Sequence, residues 1–275
     1  MIHLNCAWST DDYEAGQHMI IDNKVENNPK APFFTIITVV KNGGRSLQKA
    51  IDSLKAQTFK DFEYLILDGG STDNTLEIID KNSLSVDYSV SRKDNGLYHA
   101  LNQGIGLARG KFIGLLHSDD IYEEEALSKI YSLISSNSKA SVIYGAIKFS
   151  KNQNETFFIN DNKLYDRMIY HPACFVEKNL YLRLGTFNTR YKIAADYEFM
   201  LRCKVMGVEF LGENTVIATF AENGLSSKHK FRSIIETSII QIKFQKKYLL
   251  RHLVVLIQLV IKQVVKECIF KFRKN

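Results

Sequence analysis

Two clusters of acidic side chains and one isolated carboxylate stand where they could do chemistry. His117-Ser118-Asp119-Asp120 directly follows the apolar run from Phe112 to Leu116. Two adjacent acids at a strand's end project in different directions, so one can bind a cation while its neighbour meets another part of a ligand. Hard divalent ions such as Mg²⁺ or Mn²⁺ take oxygen ligands, often one or two carboxylates completed by substrate phosphates. The plain alternative is that Asp119 and Asp120 cap a helix beginning near Glu123. Asp68-Gly69-Gly70-Ser71-Thr72-Asp73 follows a second apolar run, Phe62 to Leu67. Its glycines let a ligand approach the backbone, and Asp68 is placed to accept hydrogen bonds from a base or ribose. Here the alternative is an ordinary turn with Ser71 or Asp73 as helix cap. In the second half, Asp196 opens a helical pattern whose apolar Phe199, Met200 and Val205 are expected to face the core. A carboxylate in a first helical turn is stabilised by the helix dipole, so capping is its plainest role.

The surrounding pattern says how these acids would be positioned. Phe34 to Val40 is a near-continuous β-branched run, as in a strand covered on both faces. Asn42-Gly43-Gly44 breaks it, and Leu47, Ile51 and Leu54 then recur at helical spacing. Phe62 to Leu67 is a second strand, with a helix carrying Leu76, Ile78 and Ile79 after it. A third strand at about Tyr88–Ser91 precedes a helix near Tyr98–Leu107, and Phe112–Leu116 is a fourth. Strands alternating with helices predict a doubly wound, mostly parallel α/β sheet with flanking helices. In such sheets ligands bind outside the carboxyl ends of the strands, at the loops after Val40, Leu67, Ser91 and Leu116. Residues 1–32 show no sustained period and read as a loosely structured extension. The main domain is expected over 33–230, with a basic helical tail over 231–275.

Four segments in this order resemble a known family: Thr38 to Asn42, Asp68 to Thr75, Asn95 to Gly104, and Ser118-Asp119-Asp120. Together they are similar to the family 2 inverting glycosyltransferases of GT-A fold, Rossmann-like enzymes of bacterial polysaccharide synthesis. The resemblance spans roughly Phe33 to Ser227. It implies a nucleotide-diphosphate sugar as donor, with UDP the expected nucleotide, and a hydroxyl of a glycan or lipid-linked acceptor. It puts Asp68 on the base, Asp119 near the ribose and Asp120 on the Mg²⁺ or Mn²⁺ that bridges the two phosphates. Asp94, Val40, Asn42 and Asn102 would join them on the donor side. Asp196 would be the base that takes the acceptor's proton, with Glu198 as second candidate. His171 and His229 would lie near the acceptor or diphosphate, although a lone histidine is more often a structural hydrogen-bonder. His117 stands where the commonest form of the metal motif has an acid.

Composition narrows the remaining classes. The chain's 45% hydrophobic and 24% charged residues are those of a globular protein. Its four cysteines lie far apart without a CxxC pair, which argues against a zinc site or a disulfide framework. Net charge is +6, and beyond Lys228 only Glu236 and Glu267 are acidic. Within that basic end, Arg251, Gln258, Lys262, Lys266 and Arg273 form one helical stripe against an apolar arc. This fits a helix lying on an anionic membrane surface through residues 251–275, and argues against nucleic acid, which prefers an exposed basic face with stacking aromatics. Packing on the catalytic domain or on a second copy in a homodimer is the alternative. With no signal-like apolar run in Met1–Thr10, the expected location is cytoplasmic and peripheral on the inner face of the cell membrane. Two other functions compete. A sugar-phosphate nucleotidyltransferase would need a basic glycine-rich loop that Asn42-Gly43-Gly44-Arg45 matches poorly, and a non-enzymatic membrane adaptor leaves the acids without a purpose. A dinucleotide-dependent oxidoreductase would need GxGxxG between strand and helix, whereas Gly104 and Gly106 lie within a helical pattern.

Overall fold

The computed structural model describes residues 19–22, 31–137, 139–222, 224, 227, 229–245 and 254. Ten strands form one sheet: β1 (Met19–Asp22), β2 (Phe34–Val40), β3 (Phe62–Asp68), β4 (Tyr88–Ser91), β5 (Phe112–Leu115), β6 (Ile121–Tyr122), β7 (Val142–Phe149), β8 (Asn152–Phe157), β9 (Cys174–Glu177) and β10 (Phe210–Phe220). The order is β1-β4-β3-β2-β5-β9-β7-β10-β6, with β8 hairpinned onto β7. Pairing is parallel across β4-β3-β2-β5, so four successive strand ends open on the same side. β9 then enters antiparallel between β5 and β7. Helices flank the sheet: α1 (Leu47–Lys55), α2 (Thr75–Lys81), α3 (Leu97–Leu107), α4 (Ala126–Ser136), α5 (Lys178–Leu184), α6 (Ala195–Val205) and α7 (Lys230–Phe244).

The strands carry two cores, one on each face. In β2, Phe34, Ile36 and Val40 pack with Ile51, Ile78 and Ile130, while Ile37 and Val39 pack with Tyr98, Ile105 and Phe199. The period of two assigns each residue to a face, and burial of both explains the unbroken apolar run in the sequence.

The structure revises several boundaries. The extension at 1–32 contains β1, paired antiparallel with β4 at the sheet edge. The helix expected near Glu123 begins at Ala126 with Glu125 at its N-cap, so Asp119 and Asp120 do not cap it: β6 intervenes and pairs with Ala218–Thr219 of β10. Val205 closes α6 on its outer side, 52% exposed, while Phe199 and Met200 are buried as expected. Residue 230 does not divide a catalytic body from a tail: α7 packs on α6, with Ile240 fully buried in the same core. Apart from Val254, the stripe proposed for 251–275 lies outside the described residues. Among the described residues no helix is long and apolar enough to cross a membrane.

At the opposite end of the strands from the acidic loops, Glu63 makes a buried clasp. Its carboxylate accepts from the Thr35 hydroxyl, the Arg109 backbone N–H and the Arg109 guanidinium, each at 2.6 Å. Removing it leaves buried donors unpaired. Glu63→Ala should lower stability by about 2–3 kcal/mol, seen as a lower urea midpoint, with the activity of the remaining folded protein unchanged.

Candidate active site

Four strand-end loops interlock. After β2, the Asn42 N–H donates to Ser71 Oγ (2.7 Å), Gly43 N–H to Thr75 Oγ1 (2.9 Å) and Gly44 N–H to Asp73 Oδ2 (3.0 Å). Asn42, at φ 53°, accepts the Thr72 N–H on its own side chain. The Thr75 hydroxyl, helped by the Gly44 and Thr75 amides, holds the Asp73 carboxyl below its usual range. Asp68 is almost fully buried and accepts from the Gly70 and Ser71 N–H groups and from the Ser71 and Ser91 hydroxyls. It therefore shapes the loop it sits on. Asp94 lies against this loop: a Cβ on Gly69 would stand 2.7 Å from its Oδ2, so a larger residue there would push the Asp94 carboxylate aside. Thr38 Oγ1 donates to the Leu116 carbonyl (2.6 Å), fastening the start of the His117–Asp120 loop to β2.

The antiparallel strands bring the second half of the chain to the same edge. The β6–β10 ladder sets Ala221 beside Asp120, and its N–H donates to Asp120 Oδ1 at 2.9 Å. The β5–β9 register, continued past Gly114 and Phe175, carries His171 to the level of His117 and Ser118. The two imidazole rings lie 4.4 Å apart. His171 Nδ1 is 3.4 Å from Asp196 Oδ2, and the Tyr98 hydroxyl is 2.8 Å from Asp196 Oδ1 and 2.7 Å from the Ile193 carbonyl. A buried line of groups thus runs Asp120, His171, Asp196, Tyr98, with His117 packed on its flank.

Electrostatics along this line follow from burial. Desolvation pushes the Asp120 carboxyl up to about 7, against the opposing charge of His171 and the Ala221 N–H. Burial also holds His117 well below its usual value, reinforced by charge on His171, so His117 is neutral. For His171 burial acts downward, but its bond to Asp196 and the charges of Asp196, Asp120 and Asp119 outweigh it and the net shift is upward. Burial and then Asp196 hold the Tyr98 phenol protonated as a donor. Two atoms stay unmatched, Asp120 Oδ2 and His171 Nε2, both buried without a hydrogen-bond partner. An unpaired buried carboxylate oxygen beside Asp119 fits a cation's donor set. Among the described residues no three His, Cys, Asp or Glu side chains cluster as a complete metal cage, so phosphates and water would supply the remaining ligands, as is usual for Mg²⁺.

Several expected residues take other roles. Asn102 spends its amide on the Phe187 backbone, donating to its carbonyl (2.9 Å) and accepting from its N–H (3.0 Å), and so ties α3 to the segment ahead of α6. The Val40 side chain is buried in the core, and its carbonyl accepts from the Gly69 N–H. Glu198 is 2% exposed and locked between Arg202 and Lys243, each at 2.9 Å, whereas Asp196 carries no Lys or Arg partner among the described residues. His171 serves Asp196 directly. His229 is exposed and lines a pocket at the start of α3.

Glu236 is the functional residue that sequence reasoning passed over. From α7 its carboxylate accepts the N–H groups of Lys192 (3.0 Å), Ile193 (2.8 Å) and Ala194 (3.1 Å), the segment that leads into Asp196. Burial opposes its ionisation, but these amides and Arg232 outweigh that and hold it below the usual value. Its lone acidic character within a basic stretch was the available signal. A depressed carboxyl stabilises above its unfolded value, roughly 4.3, and loses that contribution as pH falls further. Glu236→Gln should therefore cost about 1–2 kcal/mol at neutral pH, flatten the acid limb of stability below pH ~4.5, and reduce turnover more than nucleotide binding, as thermal melts and kinetics across pH would register.

Comparison with known proteins places these observations in a family. Residues 35–203 match the model for Glycosyl transferase family 2. A PGL/p-HBAD biosynthesis glycosyltransferase of Mycobacterium tuberculosis is 35% identical over 180 residues, covering 63% of this chain and 70% of that protein. The hyaluronan synthase of Pasteurella multocida is 28% identical over 223 residues, 71% of this chain but 23% of the synthase. Among solved structures, S. aureus TarS 1-349 in complex with UDP-GlcNAc superposes with a TM-score of 0.63 at 17% identity, over 76% of this chain and 66% of that one. The mannosyltransferase PcManGT of Pyrobaculum calidifontis, in complex with GDP-Man and Mn²⁺, gives 0.61 at 16% identity, over 78% and 65%. This chain spans 39% of the longer TarS structure. At these identities the structural likeness establishes the fold, which is GT-A.

Proposed function

The chain belongs to glycosyl transferase family 2, and from that premise we propose that it moves a sugar with inversion from a nucleotide-diphosphate donor, UDP-linked, to a hydroxyl of a glycan or lipid-linked acceptor. The observation that carries this reading is the buried line Asp120–His171–Asp196, which sets a candidate cation ligand and a candidate base at one end of the sheet. The loops holding Asp68, Asp94 and Asn42 form the donor cradle, with Asp68 acting through the loop it fixes. Asp119 and Asp120 face the diphosphate. A Mg²⁺ or Mn²⁺ on Asp120 would offset the charge that develops on the leaving diphosphate.

Asp196 takes the proton from the acceptor hydroxyl as its oxygen bonds to the anomeric carbon and the bond to the diphosphate oxygen breaks. Tyr98 on one oxygen and His171 on the other leave that carboxylate a single orientation, which is worth more to a transition state than to bound substrate. A transferase meeting a lipid-linked acceptor gains from a membrane foothold. The basic stripe over 251–275 would supply it, and the exposed Phe231, Ile234 and Ile239 on α7 would extend it.

Asp120→Asn should abolish metal-dependent UDP binding, and Asp196→Asn should leave UDP binding intact while cutting transfer by about 10²–10⁴-fold, the range of a lost general base. His171→Ala should lower kcat roughly tenfold with little change in donor KM, and His171→Asn, which keeps a donor near Nδ1, should recover much of it. Transfer unchanged in Asp196→Asn overturns the assignment. Deleting 252–275 should move the protein from membrane to soluble fractions on sedimentation.

A further inference from the structure

Adjoining Tyr98, whose hydroxyl touches Asp196, lies a cavity of about 210 Å³. Three separate elements wall it: the first turn of α3, the 189–193 segment that runs into α6, and the start of α7. They contribute His99, Lys192, His229 and Arg232, and none of the lining residues is acidic. Arg232 spends its Nε on Glu236, which leaves the terminal guanidinium nitrogens for a ligand. The α3 N-terminus also opens here without a side-chain cap. His99 and Ala100 N–H groups turn back to the Gly96 carbonyl, while those of Leu97 and Tyr98 have no intrahelical partner by geometry. Gly96, at φ 115°, has nothing within 4 Å of a would-be Cβ, so the approach is open.

Glu236 engages Arg232 Nε and Asp94 accepts from the Gly96 N–H, but neither carboxylate lines the cavity, and the cations that do line it beside the helix end favour an oxyanion. The volume decides which part of the reaction that anion belongs to. At about 210 Å³ it is smaller than the roughly 300–1,000 Å³ of a pocket for a whole drug-sized ligand, a size that suits a phosphate with its adjoining group better than a complete nucleotide sugar. The cavity adjoins the proposed base and does not include Asp120 in its lining: Tyr98 and Ile193 wall it, and the Tyr98 hydroxyl lies against both the Ile193 carbonyl and Asp196.

We propose that this cavity is an acceptor subsite for a phosphate group, held by Lys192, Arg232 and the first turn of α3 while a neighbouring hydroxyl of the same acceptor meets Asp196. The proposal rests on Asp196 being the base of the transfer reaction. The phosphate is borne either by a lipid carrier or by a soluble glycan, and the chemistry of recognition is the same.

The test uses the full chain with the donor side filled by UDP and Mn²⁺, and glycerol 3-phosphate as probe, followed by calorimetry. Wild type should bind the probe with UDP in place, and Lys192→Ala/Arg232→Ala should bind it at least about tenfold more weakly, with UDP affinity unchanged and a cooperative melt retained; Lys192→Ala alone, which leaves the Arg232–Glu236 pair intact, should weaken the probe at an unchanged melting temperature. Equal binding by the double variant overturns the proposal. So does displacement of the probe by UDP, which would assign these cations to the donor's diphosphate. Failure of UDP to bind in a metal-dependent way would instead sink the transferase reading, and probe binding that depends on Lys192 and Arg232 would still stand as measured. Neutral phosphatidylcholine vesicles with and without phosphatidic acid, compared on wild type and the double variant, separate the two sources: vesicle binding that needs both phosphatidic acid and the two cations marks a lipid phosphate, and its absence alongside probe binding marks a soluble one.

Discussion

Charge has to be kept in a buried place here, and that constraint organises the protein. A lone carboxylate taken from water is strongly penalised, yet Asp120 and Asp196 are both nearly inaccessible. His171 stands between them as the shared counter-charge, His117 stays neutral against it, and Tyr98 donates from the far side. Asp120 is the member left incompletely matched, its carboxyl held high and one oxygen without a partner. Asp120 is thus the carboxylate with an oxygen still open to a further partner, whereas Asp196 is already held on both oxygens.

The sheet topology makes the arrangement possible. Parallel strands β4, β3, β2 and β5 deliver four loops to one edge, as expected of an open α/β sheet. That half alone would supply a nucleotide cradle without a base. Antiparallel β9 inserts beside β5 and returns His171 to the same edge, and the β6–β10 ladder brings Ala221 onto Asp120. The second half of the chain is therefore read against the first by strand register, so that residues far apart in sequence share a few ångströms.

What could be read from the sequence was what short-range patterning encodes. The first four core strands and the helices between them were legible because burial on both faces leaves apolar runs broken by glycine and polar loops. The acidic loops were legible as strand ends. Long-range pairing was not: the i,i+4 spacing of Glu198 and Arg202 allows an ion pair, but nothing local shows that Lys243 seals the other oxygen of Glu198. Nor did the sequence reveal that Asn102 clamps Phe187 or that Val40 turns into the core. β1 escaped notice because an edge strand of four residues carries too little pattern to rise above its surroundings. Glu236 was visible only as an acid out of place among cations, since its partners are backbone amides and leave no mark in composition.

The Glu236 brace has a consequence for how the protein comes into being. Synthesis runs from the N-terminus, and domains generally begin to fold as they emerge. The nucleotide cradle is complete once β5 has paired, but the segment leading into Asp196 is fixed only when α7 arrives and lends its carboxylate to Lys192, Ile193 and Ala194. A nascent chain can thus assemble the loops after β2, β3, β4 and β5 well before the segment carrying Asp196 is held in place. The alignment of that segment is settled by a later element of the chain, and a chain lacking α7 would keep the strand-end loops without the brace on the residues leading into Asp196.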